Sequence, residues 1–269
     1  NPESDMGNME VWEQDMPMLY LGRSISPNSG GFGRYRGGTG FESLWLVTRT
    51  PQLIAATSEH SSRVFDNAGM CGGYPAPTVQ RHYAARNTDL ANTTRQREPL
   101  PHSLGGDPHQ TDIDKLVAGE ISEVEGPYLA EPLRDGDMFA HSYNGGGGYG
   151  DPIERDPAAV ARDVANGYVT AAAAEAVYGV VVEPSKDSYS ADLDKTQARR
   201  QRIRADRKAG AVPVRQWIER ERDRVRNGRL APEVKEMYRD SMALSARFAN
   251  EFRQFWGLAG DFSFESAAD

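Results

Sequence analysis

The first part of the chain alternates short apolar runs with polar breaks. Four runs rich in aliphatic and aromatic residues occupy positions 9–13, 16–21, 41–48 and 53–57. Runs of this length, bounded by Gly and Pro clusters, are typical of β-strands. The segment 27–40 between the second and third runs has six glycines in fourteen residues. We therefore expect it to turn, or to let the backbone approach another segment closely.

The middle of the chain, from about residue 84 to 137, is polar and has no sustained hydrophobic period. Residues 86–108 carry few apolar side chains, which favours an extended excursion over the surface. Long irregular segments of this kind usually have a function or cover an interface. We therefore expect this region to be irregular.

The last part of the chain turns helical. Asp156 followed by Pro157 predicts a helix start, because the Asp side chain can cap the first turn and proline fits the first helical position. Gly167 predicts the end of that helix. Thr170 predicts the cap of a second short helix, and the apolar run 180–182 predicts a strand after it.

Three long helices are expected next. The span 192–209 is strongly charged, with Leu193 and Ile203 among its few apolar anchors, so it is expected to lie across a surface. A second helix is expected over 213–228 and a third over 232–256. The third carries apolar residues at three- and four-residue steps, which predicts a core or a subunit interface. They are Val234, Met237, Tyr238, Met242, Leu244, Phe248, Phe252 and Phe255.

Together these patterns predict an α+β fold. A Gly-rich, mainly-β N-terminal half is followed by helices and by a long helical C-terminal tail. The expected division is a first domain over residues 1–183 and a helical extension over 184–269 that forms a subunit interface.

The net charge of −8 is unevenly distributed. Residues 192–230 hold 13 Lys and Arg against 6 Asp and Glu, a local balance of +7. Acidic residues are interleaved throughout this stretch. We therefore expect a solvated helix, or one that docks on an acidic neighbouring subunit, and not a segment that binds nucleic acid.

The sequence shows neither a membrane segment nor a leader. No stretch approaches the roughly 18–20 apolar residues that cross a bilayer, and no basic region followed by an apolar one opens the chain. Because the chain begins Asn1-Pro2 without Met, we expect a processed or partial chain. The lone cysteine, Cys71, fits a reducing cytoplasm, and we expect it to be a small buried hydrophobe.

The histidines give no metal-binding pattern. The five of them, at positions 60, 82, 102, 109 and 141, are scattered along the chain. None forms a spaced pair of the kind that holds a metal on one helix or strand. No metal site is expected within this chain.

Three sequence patterns occur in a fixed order. The first lies within 27–40, the second is GGGGYGDPIERDP at 145–157, and the third runs from 160 to 181. Together they resemble hydantoinase B/oxoprolinase-type subunits. Within that family, the opening residues 1–23 and the helical tail are similar to acetone carboxylase alpha subunits, and this chain resembles their C-terminal part. Hydantoinases and 5-oxoprolinases usually stop soon after the third pattern.

The resemblance implies part of an ATP-dependent, biotin-independent ligase that converts acetone and bicarbonate to acetoacetate. The partners it implies are a hydantoinase A-like beta subunit that hydrolyses ATP, a small gamma subunit and the remainder of the alpha subunit. It places manganese in that remainder. Two alternatives stay open: a subunit of an ATP-dependent amide-ring hydrolase, and a scaffold without chemistry of its own.

The glycine run 145–148 has two interpretations. Its backbone N–H groups could cradle an anion, or the chain could cross another segment so tightly that side chains would clash. It lacks the Lys-Ser/Thr that follows glycine in a P-loop. In the anion interpretation Gly146 and Gly147 belong to the site, and its charged members are Asp151, Glu154, Arg155 and Asp156.

Arginine supplies the remaining candidates for anion or substrate binding. Arg155 fits a carboxylate or phosphate ligand, although pairing with an Asp of the same chain is the alternative. Arg34 and Arg36 flank Tyr35 in the first glycine segment, where they would guide an anion. The alternative is a pair of surface arginines that bracket a buried ring.

Overall fold

The computed structural model describes the chain except for short gaps. The described ranges are 8–58, 67–77, 81–104, 113–124, 128–143, 145–186 and 188–264. The chain forms two compact units, Asn1–Arg202 and Ile203–Asp269. Strands dominate the first half and helices the second, so the predicted α+β class is confirmed.

The strands form one large sheet and two small ones. They are β1 (Met18–Ile25), β2 (Phe41–Val47), β3 (Leu53–Ser58), β4 (Arg81–Arg86), β5 (Glu120–Val124), β6 (Tyr128–Leu133), β7 (Met138–Ser142), β8 (Val182–Ser185) and β9 (Ser188–Ala191). The large sheet has the order β1-β2-β7-β4-β5 with antiparallel neighbours, and β3-β6 and β8-β9 form two-stranded sheets.

The helices are short in the first unit and longer afterwards. They are α1 (Met9–Asp15), α2 (Leu90–Gln96), α3 (Ile113–Leu116), α4 (Pro157–Ala165), α5 (Ala171–Ala176), α6 (Leu193–Ala209), α7 (Val214–Arg226), α8 (Pro232–Leu244) and α9 (Ala246–Trp256). None of the helices in the described part of the chain has the length and apolar character that crossing a bilayer requires.

The central strand β7 is buried on both faces of the large sheet. Met138 and Ala140 pack into a core cluster with Leu44 and Leu46 of β2. Phe139, which points the other way, packs with a second cluster around Leu133. A strand with two covered faces has a nearly continuous apolar sequence, and this is why the period-2 signal is weak here.

Two of the sequence predictions for the first unit are wrong. The run 9–13 forms helix α1 instead of a strand, because the Asn8 side chain caps it by accepting from the Glu10 N–H at 3.0 Å. The middle region 84–137 is not irregular, since it contributes β4, β5 and β6 together with α2 and α3. These elements are short and their sequences mix polar with apolar residues, so no sustained period is visible.

The helix starts predicted at Asp156 and Thr170 are confirmed. The Asp156 carboxylate accepts from the Ala158 N–H at 3.1 Å, and the Thr170 hydroxyl accepts from the Ala173 N–H at 3.2 Å. The strand predicted at 180–182 begins only at Val182 and continues to Ser185.

Helix α6 is held by polar contacts, contrary to prediction. Leu193, expected as an apolar anchor, is exposed, whereas Thr196 and Arg200 are buried. The Thr196 hydroxyl accepts from the Val181 N–H at 3.1 Å. A basic, polar helix can therefore be anchored without an apolar stripe.

The second unit has its own apolar core. Val225 of α7 packs with Phe252 and Phe264, and partly buried aromatic residues of α8 and α9 surround them. The single helix predicted over 232–256 is two helices, because Ser245 adopts an extended conformation (φ −139°, ψ 108°). Its hydroxyl caps α9 by accepting from the Phe248 N–H at 3.2 Å.

Candidate functional site

Two glycine-rich segments, residues 28–40 and 145–150, run against each other. We call this arrangement the glycine crossing. The amides of Gly145, Gly146 and Gly148 donate to backbone carbonyls elsewhere in the chain, so these three are not directed at an anion. These bonds are Gly145 to Ser29 (2.8 Å), Gly146 to Gly38 (3.0 Å) and Gly148 to Tyr74 (2.9 Å).

The glycine crossing has no room for side chains at several positions. A Cβ added at Gly37 would lie 1.9 Å from the Gly146 carbonyl oxygen, and one at Gly145 would lie 1.9 Å from that of Gly38. Such distances are far below van der Waals contact, so these positions require glycine. The tight-crossing interpretation therefore accounts for the run, while anion binding at Gly146 and Gly147 stays a prediction.

Two arginines converge on one carboxylate beside the glycine crossing. The Asp163 Oδ2 atom accepts from Arg155 Nη2 at 2.8 Å and from Arg36 Nε at 3.4 Å. Both arginine side chains are 15% exposed and the aspartate is 10% exposed. Arg155 also donates to the Arg34 carbonyl at 3.1 Å. The pairing of Arg155 with an Asp of the same chain is thus what the structure shows, and it fastens the first glycine segment to helix α4.

A buried tyrosine and a third arginine complete this cluster. Burial raises the pKa of the Tyr178 hydroxyl to about 12, and the charges of Arg155 and Arg36 act in the opposite direction. Arg200 donates to the Tyr178 carbonyl at 3.0 Å and to the Arg155 carbonyl at 2.6 Å. Arg200 was not predicted, because it lies in a strongly charged helix in which the sequence does not distinguish it from the other arginines.

The two arginines around Tyr35 have different surroundings. Arg34 is exposed, with its guanidinium carbon 5.7 Å from the centroid of the Tyr35 ring. Arg36 is the largely buried one, as described above. The expectation of surface arginines around a buried ring is wrong, since the Tyr35 side chain is exposed.

Asp151 caps the 3-10 turn Pro152–Glu154, accepting from the Ile153 N–H at 3.1 Å.

Cys71 is exposed, which contradicts the expectation of a buried residue. Its φ of 52° lies in the left-handed region, within a tight turn after Met70. A turn of this kind keeps the residue at the surface. The hydrogen bond between the Cys71 thiol and the Tyr149 hydroxyl raises the pKa of Tyr149.

Two of the histidines lie side by side. His82 of β4 pairs in register with His141 of β7, and their ring centroids are 6.0 Å apart. Burial lowers the pKa of His82 to about 4. Burial, together with the charges of His82 and Arg23, lowers the pKa of His141 to about 4. The sequence did not predict this pair, because the two histidines are far apart in the chain and meet only through strand pairing. His102 is exposed, and His60 and His109 lie outside the described residues.

No metal-binding cluster is found within the described ranges, where no three His, Cys, Asp or Glu side chains converge.

A cleft of about 670 Å³ lies between α1, β1 and α2, and includes Arg49, Arg95 and Asp135 in its lining. None of the predicted site residues lines it. The arrangement around the glycine crossing thus supplies rigidity and positive charge, with no metal ligand set.

Comparisons with known proteins match most of the chain. A sequence model described as hydantoinase B/oxoprolinase matches residues 1–152. The acetone carboxylase alpha subunit of Xanthobacter autotrophicus is 39% identical over 265 residues, covering 96% of this chain and 33% of that subunit. The acetophenone carboxylase delta subunit of Aromatoleum aromaticum is 27% identical over 228 residues, covering 80% of this chain and 31% of that subunit.

A structural comparison extends the likeness to the fold. A solved nucleotide-free structure of acetone carboxylase matches with a TM-score of 0.79 at 37% identity, covering 98% of this chain and 35% of that one. The chain spans about a third of the length of the relatives it matches.

Proposed function

The chain belongs to the hydantoinase B/oxoprolinase family, and from that premise we propose that it is the C-terminal portion of a ketone carboxylase alpha subunit. The assembly would join acetone and bicarbonate to form acetoacetate at the expense of ATP. The observation that carries this proposal is the extent of the likeness. The family model ends at residue 152, whereas the match to the acetone carboxylase subunit covers 96% of the chain and thus includes helices beyond that point.

The chemistry of such a reaction explains why ATP is needed. The methyl proton of a ketone is weakly acidic, and forming a carbon–carbon bond to bicarbonate is uphill. Phosphorylation of the ketone enolate and of bicarbonate makes both reactive, with phosphate as the leaving group. A divalent cation stabilises the oxyanions that develop.

The described residues do not fit the metal or the nucleotide. No three metal-ligating side chains converge within them. Amides of the glycine run donate to backbone carbonyls, and the run lacks the Lys-Ser/Thr of a P-loop. Following the family resemblance, the proposal assigns manganese to the remainder of the alpha subunit and ATP to a hydantoinase A-like beta subunit. A small gamma subunit completes a cytoplasmic assembly.

The helical extension 184–269 is proposed as a subunit interface. Val214, Trp217 and Ile218 of α7 are exposed large apolar residues at helical spacing, so they form one stripe. A contiguous exposed apolar stripe is typical of a protein–protein contact. Trp217→Glu is expected to leave the folded chain intact and to reduce its recovery with partner subunits. Ile54→Glu, at a 58% exposed residue of β3 outside the extension, is expected to leave both unchanged.

The test of the function is the identity of the product. The chain is co-expressed with the subunits encoded beside it, and the purified assembly is given ATP with either acetone and bicarbonate or a cyclic amide such as 5-oxoproline. We expect acetoacetate and no ring opening. Ring opening without acetoacetate would favour the amide-ring hydrolase alternative. An assembly that carboxylates equally well without this chain would contradict the proposal.

A further inference from the structure

The cleft between α1, β1 and α2, which we call the α1–α2 cleft, has the size of a small-molecule site at about 670 Å³. The apolar part of its lining comes from Met18 and Leu19 of β1, Leu46 of β2 and Ala91 of α2. Leu46 is buried and belongs to the core of the large sheet. Sites for small organic molecules typically combine apolar lining of this kind with a few polar groups.

Two arginines supply positive charge to the α1–α2 cleft. Arg49 follows β2, and Arg95 lies in the last turn of α2. Both side chains are exposed, and among the described residues neither guanidinium makes an ion pair. An arginine without a counter-ion in its own chain can receive a carboxylate through two parallel hydrogen bonds.

The backbone of Arg49 is fixed in an unusual conformation beside the cleft. Its φ of 59° lies in the left-handed region, which a residue with a side chain seldom adopts. The Asp135 carboxylate holds this conformation by accepting from the Arg49 N–H at 2.6 Å. The preceding residue is also held, since the Thr48 N–H donates to the Pro17 carbonyl at 2.9 Å. Backbone strain that the surrounding structure maintains in this way is concentrated at ligand sites.

The carboxylates in the lining restrict which ligand fits. Asp135 is engaged with the backbone of Arg49. Glu13 accepts from the Tyr20 N–H at 2.7 Å, which fastens α1 to β1. Glu10, in the first turn of α1, makes no ion pair among the described residues. Because its charge repels a second negative charge on a ligand, a monocarboxylate is favoured over a phosphate or a dicarboxylate.

We propose that the α1–α2 cleft binds a short organic monocarboxylate. Arg49 and Arg95 receive the carboxylate group. The carbon chain of the ligand packs against the apolar lining formed by Met18, Leu19 and Ala91. This site is additional to ketone carboxylation and does not depend on it.

The location of a cross-link tests the site directly. The natural assembly that contains this chain is irradiated with a short aliphatic carboxylate that carries a diazirine, and mass spectrometry locates the modified residues. We expect modification on the apolar lining, at Met18, Leu19 or Ala91. Butyrate in excess should suppress it, whereas butylamine, which has a similar carbon chain and the opposite charge, should not.

Matched variants relate the labelling to the two arginines. Arg49→Gln and Arg95→Gln are each expected to lower cross-linking about tenfold, the loss that follows from one charge-assisted hydrogen bond. The control is Arg97→Gln, which should leave cross-linking unchanged. Arg97 is also exposed and has a φ of 57°, but it does not line the cleft. Equal melting temperatures of the three variants serve as the control for folding.

The opposite results would overturn the site. Labelling found only elsewhere in the assembly would refute it, and so would labelling that survives both Arg49→Gln and Arg95→Gln. Suppression by butylamine as strong as that by butyrate would show that apolar contact alone retains the probe. An equal loss in Arg97→Gln would show a general effect of surface charge. None of these results bears on ketone carboxylation, which the analysis of products tests separately.

Discussion

The guanidinium of Arg155 lies 2.8 Å from the carboxylate of Asp163, and Arg36 approaches the same oxygen from the first glycine segment. One aspartate of helix α4 is therefore the shared counter-ion of two largely buried arginines. Removing its charge leaves both without a counter-ion, which is costly away from water.

Asp163→Asn is therefore expected to destabilise the chain. Loss of one partner from a buried pair costs about 3–5 kcal/mol, and the slight exposure here places the effect toward the lower end. Urea unfolding at pH 7 measures it. The control is Glu183→Gln, which removes an exposed partner of Lys195 and is expected to change stability little, because solvent screens the pair. Equal effects of the two substitutions would show that the Asp163 cluster has no special role.

Adjacent glycines of the first segment are expected to respond differently to alanine. The Cβ of Gly37→Ala would meet the Gly146 carbonyl oxygen at 1.9 Å, whereas Gly38→Ala meets nothing within 4 Å. Overpacking of this kind costs about 1–3 kcal/mol or more. Thermal unfolding should show a large fall in melting temperature for Gly37→Ala and little change for Gly38→Ala. The reverse order would contradict the tight crossing.

The histidine pair predicts loss of stability in weak acid. Because burial lowers the pKa of His82 and His141 from 6.5 to about 4, the unfolded chain binds more protons between these values. Stability is then fully present above pH 6.5 and is lost as the pH falls toward 4, by up to about 3 kcal/mol per histidine. Urea unfolding from pH 7 to 4.5 measures the slope. Replacement of His141 by Gln should flatten it, and an unchanged slope would argue against the pair.

The cap of helix α9 offers a smaller test. Ser245 accepts from the Phe248 N–H at 3.2 Å and begins the helix whose Phe252 lies in the core of the second unit. Ser245→Ala is expected to cost about 1 kcal/mol, and Ser245→Asp to preserve stability. Should both variants unfold like the wild type, the break between α8 and α9 would not depend on this cap.

The helix starts and the first strands could be predicted from the sequence, because they depend on residues that are close together in the chain. Asp156 and Thr170 cap helices because their side chains reach amides two or three residues ahead, and such a pattern is visible in the sequence. Strands β1, β2 and β3 were predicted because apolar residues within them are contiguous. The strands of the middle region were not, because short polar elements have no clear period.

Contacts between distant residues could not be predicted. The bond from Arg200 to the Tyr178 carbonyl joins residues 22 positions apart, and His82 meets His141 only because β4 and β7 are neighbours in the sheet. Cys71 was expected inside because cysteine is often buried, but its turn holds it at the surface. Arg36 and Arg155 were candidates because they are charged residues within the glycine segments, and pairing of Arg155 with an Asp was one of the two alternatives. Only the structure shows that Asp163 is the partner of both.

The most direct test of the proposed function follows labelled carbon. The assembly that contains this chain is incubated with labelled bicarbonate, acetone and ATP, and the acid-stable label is measured. We predict incorporation into acetoacetate that requires ATP and acetone together and disappears when this chain is omitted. Acid-stable label that forms without acetone, or no incorporation by an intact assembly, would contradict the assignment to a ketone carboxylase.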